Sequence, residues 1–306
     1  MILTVCMSPS VDVTVELGTF NIGKTNVVKS KRLSFGGKGL NVAIGVARLG
    51  CPSHTVGLMY EDNGYMFENA LKEEGVPYTF VWNKGRVREN YKFIDYRSML
   101  TEVNDVGEQV DIQKAEEVVA KVAELSKNSK VTVLAGSLPR GVDDSFYAQL
   151  AKAVAPTSLK VVDAVGARMF HALKEGVDLV KPNLEELENS LGRRIADKAD
   201  MLSGCRELIA RGAKRVLLSL GKEGAVITDG QKAYYGKSIN VAINSTVGAG
   251  DSMVAAAAIK LSENASLEEI LRAGIAAGTA KVMTRGVSFT KEKYNEVYAS
   301  LQIKEI

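Results

Sequence analysis

The chain is poor in the residues that build metal centres and disulfide frameworks: 306 residues include only three cysteines and two histidines. Cys6, Cys51 and Cys205 are odd in number and far apart, which argues against a disulfide scaffold and for a reducing cytoplasm. His54 and His171 are far apart and neither belongs to a cluster of several metal-ligating residues, so a dedicated transition-metal site is not expected. A formal net charge of +3 is too small for a nucleic-acid binder or a polybasic membrane surface, so any basic groups that matter have to be local. No apolar run approaches the length that spans a bilayer, and the start, MILTVCMSPS, has no basic residue ahead of its apolar stretch. A protein neither secreted nor inserted in a membrane is expected. No internal repeat, low-complexity tract or flexible linker is apparent.

What is present is an ordinary globular composition, 46% hydrophobic and 25% charged, on a chain long enough to bury a sizeable core. Apolar, β-branched runs at 2–7, 55–59, 130–136, 159–164, 177–182 and 215–221 read as strands. Amphipathic stretches at 40–49, 64–74, 111–127, 143–154, 184–190 and 198–211 alternate with them as helices. That alternation predicts an α/β protein with a mainly parallel sheet and helices on both faces. After an antiparallel-looking pair near 224–243, three helical stretches run to the C-terminus. Two segments, 11–34 and 77–104, break the pattern by alternating apolar with polar residues, which suggests half-exposed antiparallel strands. The expectation is one domain over 1–306 with a small β-sheet lid inserted at those two places. The lid's second face would need burial, and a homodimer formed lid to lid would supply it.

Several clusters carry chemistry. In TVGAGDSM, Gly248 and Gly250 let the backbone turn into a helix predicted by DSMVAAAAIKL. A helix start presents N–H groups and a positive dipole end to a phosphate or developing anion, and Asp251 stands beside it as either a helix-stabilising acid or a catalytic base. SFGGKGLNVA sets Gly36, Gly37 and Gly39 around Lys38 at another helix start, either a close approach to a polyhydroxylated or phosphorylated ligand or a tight turn with a solvated lysine. In VKPNLEEL, Asn183 and Glu186 lie three apart just past a strand carrying Lys181. They either organise hydrated magnesium around nucleotide phosphates or form a helix cap. SLGKEGA offers Ser219, Gly221 and Gly224 as a phosphate turn or a hairpin loop, and AGSLPRG ends a strand with Ser137 and Arg140. In RVRENYKF, Arg88, Asn90 and Lys92 share one strand face, suited to clamping an anion or to blunting a solvated edge.

In this order and spacing, the segments resemble the PfkB family of carbohydrate kinases, whose fold is ribokinase-like. GGKGLNVA and TVGAGDSMVA are the family's two signatures, and the likeness extends from MSPSVD through AGSLPRG, KPNLEEL and SLGKEGA over essentially the whole chain. Within the family it is most similar to the branch that phosphorylates sugar phosphates, comprising 1-phosphofructokinase and tagatose-6-phosphate kinase. The resemblance implies a kinase using ATP and Mg2+, with Asp251 as general base and the turn at Gly248, Ala249 and Gly250 as anion hole. It implies sugar contacts from Asp12, Gly37, Lys38 and Asn41, and substrate-phosphate contacts from Arg88, Asn90, Lys92, Ser137 and Arg140. Lys24 is a further candidate that would reach across a dimer. Lys181, Asn183, Glu186, Ser219, Gly221 and Gly224 fall on the nucleotide side, with Glu186 toward the metal through water. Two departures stand out: Ser8 replaces the asparagine of the branch's usual NPSxD, and Arg140 stands where proline or lysine is common. The implied reaction converts fructose 1-phosphate to fructose 1,6-bisphosphate in the cytoplasm. Tagatose 6-phosphate as acceptor and a non-catalytic sugar-phosphate sensor are the alternatives, and no nucleic-acid or membrane partner is expected.

Overall fold

The computed structural model describes residues 1–97, 99–242, 246–284 and 289–306. Ser98 in the second expected insertion and Ile243 at the end of the antiparallel pair lie outside the described residues. In chain order the strands are β1 (Ile2–Cys6), β2 (Ser10–Leu17), β3 (Val28–Gly36), β4 (Ser53–Tyr60), β5 (Tyr78–Asn83), β6 (Arg88–Ile94), β7 (Leu100–Asn104), β8 (Val131–Ala135), β9 (Leu159–Asp163), β10 (Leu179–Val180), β11 (Val216–Ser219), β12 (Ala225–Thr228), β13 (Ala233–Gly236) and β14 (Ile303–Glu305). The helices are α1 (Lys38–Arg48), α2 (Tyr65–Glu73), α3 (Ile112–Leu125), α4 (Phe146–Ala153), α5 (Ala167–Leu173), α6 (Leu184–Leu191), α7 (Lys198–Ala210), α8 (Ala249–Ser262), α9 (Leu267–Val282) and α10 (Lys291–Ser300).

The apolar runs assemble into a ten-stranded sheet ordered β14-β13-β12-β11-β10-β9-β8-β1-β4-β5. From β5 through β11 neighbouring strands are parallel, and β12, β13 and β14 close one edge antiparallel. Because side chains alternate along a strand, both faces are apolar and each needs a helical layer. Leu3, Val5, Val56 and Leu134 join one buried cluster with α3, α4 and α7 residues, while Ile2, Val131, Val133 and Val161 join the other with α8 and α9. The α/β architecture with a mainly parallel sheet is therefore as the alternation predicts.

α8 has no polar face in its middle because α1 and α9 cover it: Val254 through Ala258 are almost fully buried. Its run of alanines allows that close approach, and a methyl built on Gly45 of α1 would lie 2.9 Å from Cβ of Ala255. This packing fixes where the N-terminus of α8, and so Asp251, stands against α1.

A second sheet, ordered β3-β2-β6-β7, lies apart from the first. It differs from expectation in one respect: segment 77–104 does not act as a unit. Tyr78–Asn83 pairs parallel with β4 and extends the main sheet as its edge strand. Only β6 and β7 from that segment enter the small sheet, where β6 pairs parallel with β2. The short helix α5 and the terminal strand β14 have no counterpart in the sequence reading.

Candidate active site

The small sheet is two-faced by register. Directly paired residues point the same way, so Ser34, Asp12, Asn90 and Asn104 form one polar row across all four strands, and Arg32, Thr14, Lys92 and Glu102 form the next. The intervening row, Leu33, Val13, Tyr91 and Val103, is apolar and lies on the opposite face. The polar face lines a cavity of about 400 Å³, closed on its other side by Gly37, Lys38, Asn41, Ser137, Asp163, Arg168 and Glu186. Within it Asp12 accepts hydrogen bonds from Asn90 Nδ2 at 3.2 Å and Lys92 Nζ at 2.7 Å. Lys92 is thereby neutralised inside the protein. Arg88 donates from one terminal nitrogen to Asn90 Oδ1 at 3.2 Å, while its buried Nε has no partner. Arg88 is thus the cation of this face with donor capacity to spare.

Asp251 is linked to this cavity through Asn41, which lines it. The N-cap of α8 is Gly248, held at φ 80°, where a side chain would be strained, and Asp251 follows three residues later in the first turn. Gly248 has no side chain with which to cap the helix, and Asp251 Oδ2 accepts from Nδ2 of Asn41 at 2.7 Å. Asp251 therefore does more than stabilise its own helix: it ties α8 to α1. The carboxyl is 7% exposed, and burial, reinforced by the charge of Asp163, lifts its pKa to about 6, against the pull of Lys38, the Asn41 hydrogen bond and Lys181. α1 can start close enough to bring Asn41 here because Gly39 lacks a side chain: a Cβ there would sit 2.3 Å from the carbonyl oxygen of Val5.

Asp163 organises the cations. At the C-terminal end of β9 and 1% exposed, it accepts from Lys38 Nζ at 3.1 Å and lies 3.6 Å from Lys181 Nζ. Burial alone would raise its pKa, but Lys181 and Lys38 outweigh that and hold it below the usual carboxylate value. Burial in turn lowers the Lys38 ammonium, but Asp163, Asp251 and Glu186 outweigh it and raise its pKa. Lys181 Nζ also lies 3.4 Å from where a Gly250 side chain would begin. A buried positive group thus backs the α8 turn.

On the far side of that turn lies a second cavity of about 490 Å³, lined by Ala249, Gly250, Asn183, Ser219, Gly221 and Gly224 together with apolar Met253, Ile275 and Val282. Asn183 and Ser219 are brought together by a parallel bridge between the ends of β10 and β11. Asn183 and Glu186 form a complete capping box: Asn183 Oδ1 accepts from the Glu186 N–H at 2.7 Å, and Glu186 Oε2 accepts from the Asn183 N–H at 2.8 Å. Glu186 faces the first cavity, not the second as expected. Among the described residues no group of three His, Cys, Asp or Glu side chains could hold a metal ion. One carboxylate near the meeting of two cavities suits magnesium that arrives on a nucleotide's phosphates and keeps most of its waters.

Two expected residues are not brought to the site. Arg140 is exposed and uses its backbone carbonyl to accept from the Val110 N–H at 2.9 Å. Lys24 is exposed at the tip of the β2–β3 hairpin. Conversely, Ser8, Ser10, Asp163, Arg168 and Glu102 line the first cavity without having been selected as site residues. Asp163 had a signal, a lone acid closing the apolar run LKVVD.

Comparison with known proteins shows the family. The pfkB family carbohydrate kinases match residues 10–293. A 1-phosphofructokinase of Xanthomonas campestris pv. campestris is 32% identical over 277 residues, covering 88% of this chain and 87% of that one. A tagatose-6-phosphate kinase of Staphylococcus epidermidis is 28% identical over 311 residues, covering both chains fully. A crystal structure of phosphofructokinase-2 from Escherichia coli in complex with potassium has a TM-score of 0.90 and 31% identity, covering 97% of this chain and 98% of that chain. The chain thus belongs to the pfkB family of carbohydrate kinases, phosphotransferases that act on a sugar hydroxyl.

Proposed function

We propose that the protein transfers the γ-phosphoryl group of ATP to a hydroxyl of fructose 1-phosphate, giving fructose 1,6-bisphosphate. The observation that carries this reading is the pairing of Asp251 at 2.7 Å with Asn41, which lines the same cavity as Arg88. In this reading the sugar phosphate fills the first cavity, with Arg88 and Ser137 on its phosphate and Asp12, Gly37 and Lys38 on its hydroxyls. The adenine and ribose occupy the second, more apolar cavity near Met253, Ile275 and Val282. The attacking hydroxyl then lies by Asp251 and the γ-phosphate by the Gly248–Gly250 turn.

Asp251 takes the hydroxyl proton as the oxygen attacks, and a pKa near 6 keeps it ionised at neutral pH while leaving it basic enough to do so. Asn41 fixes which carboxylate oxygen is free for that proton. The first-turn N–H groups of α8 and the Lys181 ammonium behind Gly250 offset the charge of the transferring group. Glu186 would hold, through water, a magnesium ion brought in with ATP, which would supply neutralisation of the phosphate charge.

Tagatose 6-phosphate is the second acceptor to weigh, because the Staphylococcus epidermidis tagatose-6-phosphate kinase aligns with this chain from end to end. A coupled ADP-release assay against fructose 1-phosphate, fructose 6-phosphate, tagatose 6-phosphate, ribose and adenosine decides between them. The reading expects the highest kcat/KM with fructose 1-phosphate; no release with any acceptor would overturn it. A homodimer through the small sheet belongs to the same reading. Leu33 and Val103, each about half exposed, sit on its apolar row, and light scattering at micromolar concentration should give twice the 32.9 kDa chain mass. The three cysteines, all free, suit a reducing cytoplasm.

A further inference from the structure

Lys281, in the last turn of α9, is 1% exposed, and among the described residues its ammonium has no hydrogen-bond partner. A buried charge without a partner is costly, and proteins normally pair it or replace it. Its position narrows the reason for keeping it. Lys281 Cε is the atom that a side chain built on Gly248 would meet, at 3.4 Å, so the lysine stem lies against the N-cap of α8.

The α8 turn is therefore flanked by two buried lysines of unlike standing. Lys181 reaches Gly250 and is balanced by Asp163 at 3.6 Å. Lys281 reaches Gly248 and, among the described residues, is balanced by no contact; the more distant charge of Asp251 favours its ammonium form, but burial outweighs that and lowers its pKa. The helix start alone supplies a partial positive charge, and Lys281 adds a whole one behind it. A positive charge held unpaired at that point is complementary to an anion that arrives from outside the chain.

We propose that Lys281 is a positioning residue of the phosphoryl-transfer site: a fixed charge behind the Gly248–Gly250 turn whose counter-ion is the phosphoryl group in transit. It acts through the turn, without touching the substrate. The inference rests on reading that turn as the anion hole, and it assigns Lys281 a share of the charge stabilisation beyond the N–H groups and Lys181. Stability is lowered by the unpaired charge in the resting protein, and the charge is matched only when the transferring group is present.

The test is Lys281→Met, which keeps the length of the side chain and removes its charge. We expect kcat to fall roughly ten- to a hundredfold, a smaller loss than removal of a direct oxyanion donor, with KM for both substrates within about twofold. The melting temperature should rise, because an apolar side chain replaces a desolvated charge. A merely structural lysine would behave oppositely, with a lower melting temperature and no selective loss of kcat. Should the methionine variant not fold, Lys281→Ala leaves room for methylammonium, and added methylammonium should restore kcat severalfold over an equal concentration of sodium; no restoration overturns the proposal. Asp251→Asn assayed alongside separates the two levels. Full turnover in Lys281→Met with turnover lost in Asp251→Asn refutes the role of Lys281 alone, whereas full turnover in both removes the reading of the site beneath it.

Discussion

Replacing Asp251 with asparagine should make the protein more stable and nearly inactive, by amounts that follow from its environment. Burial and the neighbouring Asp163 charge raise the folded-state pKa from 3.8 to about 6. A carboxyl raised in this way favours folding while protonated, so its contribution is fully present below pH 3.8 and is lost as pH rises through 6. The difference of about two units corresponds to about 3 kcal/mol of destabilisation once the group is ionised in both states. Asp251→Asn has no such titration, and its amide oxygen can still accept from Asn41. The variant's advantage should therefore be about half developed at pH 5 and reach about 3 kcal/mol at pH 8, as linkage between the two pKa values requires. Urea unfolding of both proteins at a series of pH values measures it directly. Turnover should fall roughly a hundredfold or more, with ATP binding by calorimetry nearly unchanged. A variant no more stable than wild type at pH 8 would refute the claim that desolvation dominates the site, and unchanged turnover would refute the base.

The pH dependence of kcat/KM offers a second check: activity should rise with pH through an apparent pKa near 6 and then level off. Removing the Asn41 hydrogen bond with Asn41→Ala should move that limb to higher pH, because the bond favours the ionised acid. Asp163→Asn should move it lower, since a repelling charge is lost and Lys38 and Lys181 are freed; both limbs moving the same way would contradict the cause assigned here. Arg88→Gln should raise KM for the sugar phosphate roughly tenfold while leaving KM for ATP within about twofold, and an equal effect on both would sink the phosphate-clamp role. Lys92→Met should act differently, through Asp12: its loss leaves a carboxylate unpaired, so its signature is lowered stability together with weakened sugar binding.

Much of the architecture was readable because it depends on local periodicity. Alternating runs of β-branched and amphipathic residues marked the parallel strands and their helices to within a few residues. Failures came where position depends on distant partners. Tyr78–Asn83 alternates like a half-exposed strand, which it is, but nothing local says that it lies at the edge of the main sheet beside β4 instead of in the small one. α5 is only seven residues long, too short to show a period, and Arg168 went unnoticed with it. At the site, the glycine turn and acid at 248–251 were visible, yet the residue that distinguishes Asp251 from a helix cap, Asn41, is 210 positions away in sequence. The capping-box reading of Asn183 and Glu186 held locally, and it is compatible with a role in the site because it occupies only one oxygen of Glu186.

The junction between the small sheet and the helix that steadies Asp251 is a single residue, Gly37: β3 ends at Gly36 and α1 begins at Lys38. The other end of the same hairpin is of a different kind, with Ile22 and Val27 at its tip 91% and 80% exposed. Insertions and deletions therefore face unequal tolerance along one hairpin. The tip can lengthen or shorten with little consequence for Asp251, whereas one residue added at Gly37 would rotate α1 by about 100° against its partners, as 3.6 residues per turn dictate, and carry Asn41 away from Asp251. Relatives can vary in how far the hairpin projects, whereas the short stretch from Ser34, paired with Asp12, through Gly37 to Asn41 has no such freedom.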